Sequence, residues 1–307
     1  MGWKPDASSI KEPVYKVFGL NISSELAFLD MPKKTGTADV VVRCGRTPDS
    51  LSAPKLKGVR YEVGPGEFLL RVDGVARYYV TKGDTIIIER EPGAAQEEIL
   101  LFFMGSVMGA VLHQRNILPL HAGAVSVDRR AVLFAGPSSI GKSTLAAGFQ
   151  KQGYPLLADD VCAVTADGNN GVKVIPGFPR LKLWADALKK LESEKTGLRQ
   201  VRLDPDFKKY FVHFDHQEAQ PTPLRSVFAL QSTNTDQFEL EELSGKERIE
   251  PILNHTYRIR FLQGLENKQV HFRQCSSVAA HARVFRVTRP QKGFRLQELM
   301  DLVRRHW

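Results

Sequence analysis

The chain has 307 residues, enough for one large domain or two ordinary ones, and its 42% hydrophobic and 25% charged content excludes wholesale disorder. A formal net charge of +9 favours anionic partners such as nucleotide phosphates, but Lys and Arg are spread along the chain, so no nucleic-acid stripe is expected. Three separated cysteines, Cys44, Cys162 and Cys275, exclude a disulfide scaffold and a structural zinc site, and suit reduced thiols in a cytoplasmic protein.

The opening MGWKPDASSIKEP has no apolar stretch that reads as a signal peptide. Residues 14 to 92 look β-rich: short runs at Lys16–Leu20, Asp39–Arg43 and Glu67–Val72 carry β-branched or aromatic residues. Asp73-Gly74 between Phe68–Val72 and Val75–Val80 is the strongest hairpin signal, and Lys82-Gly83-Asp84 turns again into Thr85–Ile88. The spacing predicts a small antiparallel sheet. Pro92-Gly93 breaks it.

Ala94 to Arg115 has helix-forming composition, with Glu97 and Glu98 in an acidic first turn and Gly105 and Gly109 placed to admit a closely packed element. The longest uncharged apolar run, Ile99 to Leu112, has fourteen residues where a membrane span needs about 20, so it reads as a buried helix and no membrane partner is expected. Ala131–Ala135 reads as a buried strand, Lys142–Gln152 as a helix closed by Gly153, and Pro155–Ala158 as another strand. Val161–Thr165 and Val172–Ile175 flank a turn at Asp167–Gly171. Helix signals return at Trp184–Lys195, Ile249–Leu262, Ser276–Arg283 and Leu296–His306, with a strand near Ala282–Thr288.

Gly136-Pro137-Ser138-Ser139-Ile140-Gly141-Lys142-Ser143 follows a strand and opens a helix, the context a GxxxxGK[ST] phosphate cradle requires. Backbone N–H groups wrap the phosphates, the helix turns its positive end to them, Lys142 bridges β- and γ-phosphates, and Ser143 holds Mg²⁺. Gly136, Ser138, Ser139, Ile140, Gly141, Lys142, Ser143 and Thr144 are therefore the nucleotide-binding set. An ordinary strand-to-helix turn does not account for glycine at both 136 and 141.

Asp159 and Asp160 follow Lys142 by seventeen and eighteen residues, at the end of an apolar run. One carboxylate would hold the metal while the other takes a proton from an attacking hydroxyl; equally, they read as an acidic pair in an NTPase that activates only water. His121, twenty-one residues before Lys142, is on its own more often structural than catalytic.

Together His121, Gly136–Ser143 and Asp159-Asp160 resemble the catalytic domain of the HPr kinase/phosphorylase family, with matching spacing across about forty residues. The resemblance implies an α/β fold: a P-loop catalytic domain over 95–307 preceded by a small β-rich domain over 1–94 that would hold substrate. It implies a cytoplasmic, ATP- and Mg²⁺-dependent serine kinase acting on a peptide or small protein, and a homo-oligomer. GTP and pyrophosphate remain open as donors. Asp160 would be the general base, His121 and Lys142 would act beside the phosphates, and Ser143 with Asp159 would hold the metal.

The sequence departs from that pattern in carrying Thr144 where glutamate is usual. The Glu-x-Arg-Gly segment that supplies the family's second metal ligand is absent, and Pro176–Trp184 (PGFPRLKLW) stands there instead. That segment, His281–Pro290 and the β-rich front half are similar to the branch found in lasso-peptide gene clusters, which phosphorylates a serine at the precursor's C-terminus. Arg180 is a candidate clamp for a phosphate or carboxylate, and Lys209 a candidate contact for an anionic substrate. His213, Asp215 and His216 alternate faces on an expected strand and suggest no metal cluster. The other functions open to this sequence are a P-loop ATPase or nucleotide switch, and a small-molecule kinase acting on a free amino acid or sugar.

Overall fold

The structure is a computed structural model that describes residues 13–28, 31, 33, 35–167, 171–191, 198–201, 208–213, 220–293 and 295–307. The centre of the turn expected at 167–171, the end of the helix expected at Lys195, and Asp215 and His216 lie outside them. The fold is mixed α/β with several sheets.

The first sheet takes the strands β1 (Val14–Val17), β2 (Leu20–Ser24), β3 (Val40–Cys44), β4 (Leu56–Lys57), β5 (Tyr61–Gly64), β6 (Glu67–Val72), β7 (Ala76–Thr81) and β8 (Thr85–Arg90) in the order β1-β2-β3-β8-β7-β6-β5-β4. The Asp73-Gly74 hairpin forms as expected, pairing Val72 with Ala76. The sheet is not purely antiparallel, however: β2 pairs β3 and β3 pairs β8 in parallel. β3 leaves β2 through a long connection rather than a tight turn, and only such a connection lets a strand return in the same direction. The run expected at Lys16–Leu20 is instead two strands turning at Phe18-Gly19, where both residues have positive φ.

α1 (Gln96–Phe102), a π-helical turn at Phe103–Val107 and α2 (Met108–Gln114) form one continuous helical segment. Its apolar residues Ile99, Phe103, Val107 and Val111 share one buried cluster with the first sheet, and that cluster runs on past residue 94 to Val161, Ile175, Phe261 and Leu265. The element admitted by Gly105 and Gly109 is the ring of Tyr257. A Cβ at Gly109 would lie 3.0 Å from Tyr257 Cδ1, and one at Gly105 3.1 Å from its hydroxyl.

β9 (Leu118–Leu120), β10 (Ala122–Val127), β11 (Arg130–Ala135), α3 (Lys142–Lys151), β12 (Leu156–Ala158), β13 (Cys162–Asp167) and β14 (Gly171–Ile175) follow. Next come β15 (Arg180–Trp184), α4 (Ala185–Lys190), β16 (Lys209–His213), β17 (Thr222–Thr233) and β18 (Glu239–Glu242). The helix expected from Trp184 is thus preceded by a strand, because Arg180-Leu181-Lys182-Leu183-Trp184 alternates polar and apolar with leucines inward. α5 (Ile249–Asn254), α6 (Leu262–Leu265), α7 (Lys268–His281), β19 (Arg283–Pro290) and α8 (Leu296–Arg304) complete the chain. The helix expected over 249–262 is broken at 255–258, where Arg258 adopts φ 53°.

β17 is the axis of the second sheet. Its start pairs antiparallel with β14, and its body lies parallel to β11 on one side and β19 on the other. Interior strands such as β11, buried from Ala131 to Ala135, are apolar on both faces because helices or other strands cover both. β11 and β19 run in the same direction, so the loop after β11 and the residues after Val287 emerge at one edge of the sheet. Among the described residues no helix is long and apolar enough to cross a membrane.

Candidate active site

The turn from β11 to α3 is held by its glycines. Gly136 has φ 154°, and a Cβ there would meet the Leu230 carbonyl at 2.8 Å and Ile140 Cγ2 at 2.9 Å. Gly141, at φ 106°, precedes the first residue of α3, whose opening N–H groups have no acceptor within the helix. The Ile140 side chain is buried in the core, and its carbonyl accepts from Arg289 Nε at 2.9 Å. β19 therefore braces the loop through an arginine just beyond its apolar core.

Lys142 is buried beneath this loop. Its ammonium donates to the carbonyls of Gly136 (2.9 Å) and Pro137 (2.8 Å) and to His121 Nε2 (3.0 Å). Burial lowers its pKa to about 8 against the pull of Asp159 and Asp160. His121 projects from the link between β9 and β10, its main-chain N–H tied to the His255 carbonyl at 2.7 Å. Burial, with Lys142 beside it, lowers the imidazole's pKa and keeps it neutral. His121 Nδ1 then carries the hydrogen and donates to the Asp160 carbonyl (3.1 Å), with Asp160 Oδ1 at 3.4 Å, so this contact is a hydrogen bond rather than an ion pair.

Asp159 and Asp160 follow β12 in a tight turn closed by Val161 N–H donating to the Asp159 carbonyl at 2.8 Å. Asp160 has φ 69°, a left-handed conformation that costs a non-glycine residue energy and that aspartate tolerates better than most. The turn sends the two carboxylates to different groups, and both reach Lys182. Asp159 Oδ1 accepts the Ser143 hydroxyl at 2.7 Å, and its Oδ2 accepts Lys182 N–H at 2.9 Å. Asp160 Oδ2 accepts Lys182 Nζ at 2.7 Å.

Burial and the neighbouring Asp160 charge raise the Asp159 pKa. Burial works upward on Asp160 too, but the Lys182 ammonium outweighs it and holds that carboxyl well below the usual carboxylate range. The Lys182 pKa is raised in turn, because Asp160 more than offsets burial.

Two cavities of about 480 Å³ each meet at this centre. The first is walled by Ser138, Ser139, Gly141–Thr144, Trp184, Lys209 and Arg289. The second is walled by Gly136, Pro137 and the 254–258 turn that carries His255, Tyr257 and Arg258. His121, Ser138 and Asp160 line both. The His255 pKa is lowered to about 4 by burial, then by Lys142 and His121, so this imidazole is neutral as well. Tyr257 lies 5.8 Å from the His121 ring, and Arg258 stacks over Tyr257 at 5.4 Å.

Of the residues singled out from sequence, His121, Gly136, Ser138 to Thr144, Asp159, Asp160 and Lys209 come together here. Lys209 Nζ sits 5.4 Å over the Trp184 ring, and burial lowers its pKa. Arg180 goes elsewhere: its guanidinium stacks on Phe211 at 4.3 Å and contacts Met104 Sδ, and it lines neither cavity. Lys182, Arg289, Tyr257 and Arg258 were not foreseen. The polar–apolar alternation of 180–184 held a signal for Lys182, two residues from Arg180 on the same strand; the 254–258 turn had no local signature.

Ser143 and Asp159 offer two hard oxygen donors side by side, a set suited to Mg²⁺, which binds through few protein ligands and completes its shell with phosphate oxygens and water. No protein-family profile and no curated protein matches the sequence. Among solved structures, the HPr(Ser) kinase/phosphatase from Coxiella burnetii is similar to 61% of this chain over 89% of its own length, with 16% sequence identity and a TM-score of 0.32.

Proposed function

We propose that this protein transfers the γ-phosphoryl group of a nucleoside triphosphate, ATP in the first instance, to a hydroxyl of a peptide or small protein. The observation that carries this reading is the meeting of two cavities at His121, Ser138 and Asp160. A water-activating NTPase needs one cavity. A phosphotransferase needs a donor site and an acceptor site that share the reacting centre.

The charges divide in the same way. Lys142, Lys209 and Arg289 outnumber Asp186 in the first cavity and suit a polyphosphate; the second has Arg258 as its one cation among the described lining residues and suits a less charged acceptor. Asp160, held ionised, orients the acceptor's hydroxyl and takes its proton at Oδ1 late, once bonding to phosphorus has made that proton acidic enough for a weak carboxylate base. The oxygen bonds to the γ-phosphorus, and the bond to the β–γ bridging oxygen breaks with its electron pair leaving on the diphosphate. Lys142 and the helix N-terminus stabilise the phosphoryl oxygens, while His121 fixes the Asp160 turn through its carbonyl. Mg²⁺ bound at Ser143 and Asp159 would neutralise charge on the β- and γ-phosphates.

The test is purified protein with radiolabelled ATP, Mg²⁺, serine-containing peptides and free serine, repeated with GTP and pyrophosphate as donors. Transfer to a peptide that Asp160→Asn abolishes, with binding of a fluorescent ATP analogue kept within threefold, is the expected result. Phosphate release with no labelled acceptor would favour a plain ATPase instead. Labelling of free serine alone would make this a small-molecule kinase.

A further inference from the structure

We propose that Lys182 is a positioning residue for phosphoryl transfer: an internal ammonium that fixes Asp160 as proton acceptor and leaves Ser143 with Asp159 as the seat of a single divalent cation. The proposal rests on the phosphotransferase reading above and adds how the acid pair is divided between two tasks.

One residue holds both acids. The Lys182 main-chain N–H donates to Asp159 Oδ2 at 2.9 Å, and its side-chain ammonium donates to Asp160 Oδ2 at 2.7 Å. β15 brings this about by its pairing with β16, which sets Lys182 opposite Phe211 with the inward leucines on either side. The ammonium is largely buried, so neither salt nor water relieves its charge. A dication on Asp160 Oδ2 would stand next to that ammonium with little solvent between them, and like charges at that distance repel strongly. Oδ2 is therefore closed to metal.

Oδ1 is turned the other way, 3.4 Å from His121 Nδ1, where the two cavities join. Asp159 differs. Its Oδ1 meets a neutral hydroxyl, that of Ser143, at 2.7 Å, a partner that a cation can share. The site thus holds one carboxylate–hydroxyl pair open to metal and one carboxylate reserved for the proton. During transfer the hydroxyl proton moves to Asp160 Oδ1, the phosphorus changes oxygen partners, and Lys182 keeps its three hydrogens throughout.

The experiment counts Mn²⁺ by electron paramagnetic resonance in the presence of the β,γ-imido analogue of ATP. Wild-type protein should bind one Mn²⁺ per chain. Asp160→Asn should still bind one, and Asp159→Asn should lose it. Lys182→Met, which keeps the stem without the charge, should take up a second ion. It should also lose at least thirtyfold in kcat, with the KM for ATP within threefold.

Two ions in wild type, none at all, or loss of the single ion in Asp160→Asn would overturn the proposal. So would Lys182→Met protein that transfers at the wild-type rate. Should Lys182→Met fail to fold, the wild-type and aspartate counts decide alone. Failure of the phosphotransferase reading looks different: wild type binds the analogue and one Mn²⁺ yet phosphorylates no hydroxyl, which removes the positioning role and keeps the metal count.

Discussion

Lys142 Nζ lies 3.0 Å from His121 Nε2, and the hydrogen between them belongs to the lysine. His121 has its own hydrogen on Nδ1, committed to the Asp160 carbonyl at 3.1 Å, so Nε2 presents a lone pair. With Gly136 and Pro137 carbonyls taking the other two ammonium hydrogens, Lys142 is fully satisfied by the loop and the histidine. A phosphate oxygen has to compete with those acceptors, and it does so only while the lysine is charged.

Nucleotide affinity should therefore fall above about pH 8, where the Lys142 ammonium is half deprotonated, rather than above its ordinary value of 10.5. Binding needs the protonated form, so affinity is constant below that point and drops by up to about tenfold per pH unit above it. The dissociation constant of a fluorescent ATP analogue between pH 6.5 and 9.5 checks this. Lys142→Arg stays charged and should show a flat profile over the range; a flat profile in wild type contradicts the argument.

Gly136→Ala and Gly141→Ala should separate two roles of glycine. At 136 a Cβ would collide with a backbone carbonyl at 2.8 Å, so the strand end or the loop must move. The expected costs are about 1–3 kcal/mol of stability and at least a tenfold loss of nucleotide affinity. At 141 no atom lies within 4 Å of a Cβ, and only the φ of 106° is unfavourable, so about 1–2 kcal/mol of backbone strain is expected without displaced neighbours. Thermal unfolding together with nucleotide titration distinguishes the two.

The geometry of the 136–143 loop was legible in the sequence because it is set locally. Gly136, Gly141 and Lys142 are close in the chain, and both their spacing and the strand before them are set by the loop itself. The acid pair was legible as a turn ending a strand, but its division of labour was not, since that depends on Lys182 from a strand that pairs with β16 across a long connection. The fold was legible where turns are tight, as at Asp73-Gly74, and misread where β3 returns parallel, since direction there is decided by packing at long range. The wall of the second cavity was illegible: Tyr257 reaches its place by lying on Gly105 and Gly109, which the sequence marked only as a gap to be filled.

Arg180 and Arg258 should part company on mutation. Arg180 stacks on Phe211 at 4.3 Å and lines neither cavity, so Arg180→Met should lower stability by about 1 kcal/mol and leave the KM for acceptor within twofold. Arg258 rims the second cavity, and no ion pair to it is present among the described residues. Arg258→Met should raise the acceptor KM at least fivefold with the KM for ATP unchanged. Steady-state kinetics on a peptide that wild type phosphorylates measures both, and the reverse pattern would return the acceptor contact to Arg180.

Acid should begin to weaken the fold through His113, from about pH 6.5 downward. This residue is buried on α2, where its Nε2–H donates to the Tyr257 carbonyl at 2.8 Å and so anchors the turn that walls the second cavity. Burial lowers its pKa from 6.5 to about 4. The unfolded chain thus binds a proton that the folded one refuses, and stability is intact above about pH 6.5 and lost progressively down to about 4, by about 3 kcal/mol in all. His255, also lowered to about 4, acts in the same window. His113→Gln keeps a donor for the Tyr257 carbonyl without a titrating group. Denaturant unfolding at half-unit steps from pH 4 to 7 should show a shallower decline for the variant than for wild type, by about one proton's worth of slope. Parallel curves would mean that His113 is not the group that acid attacks.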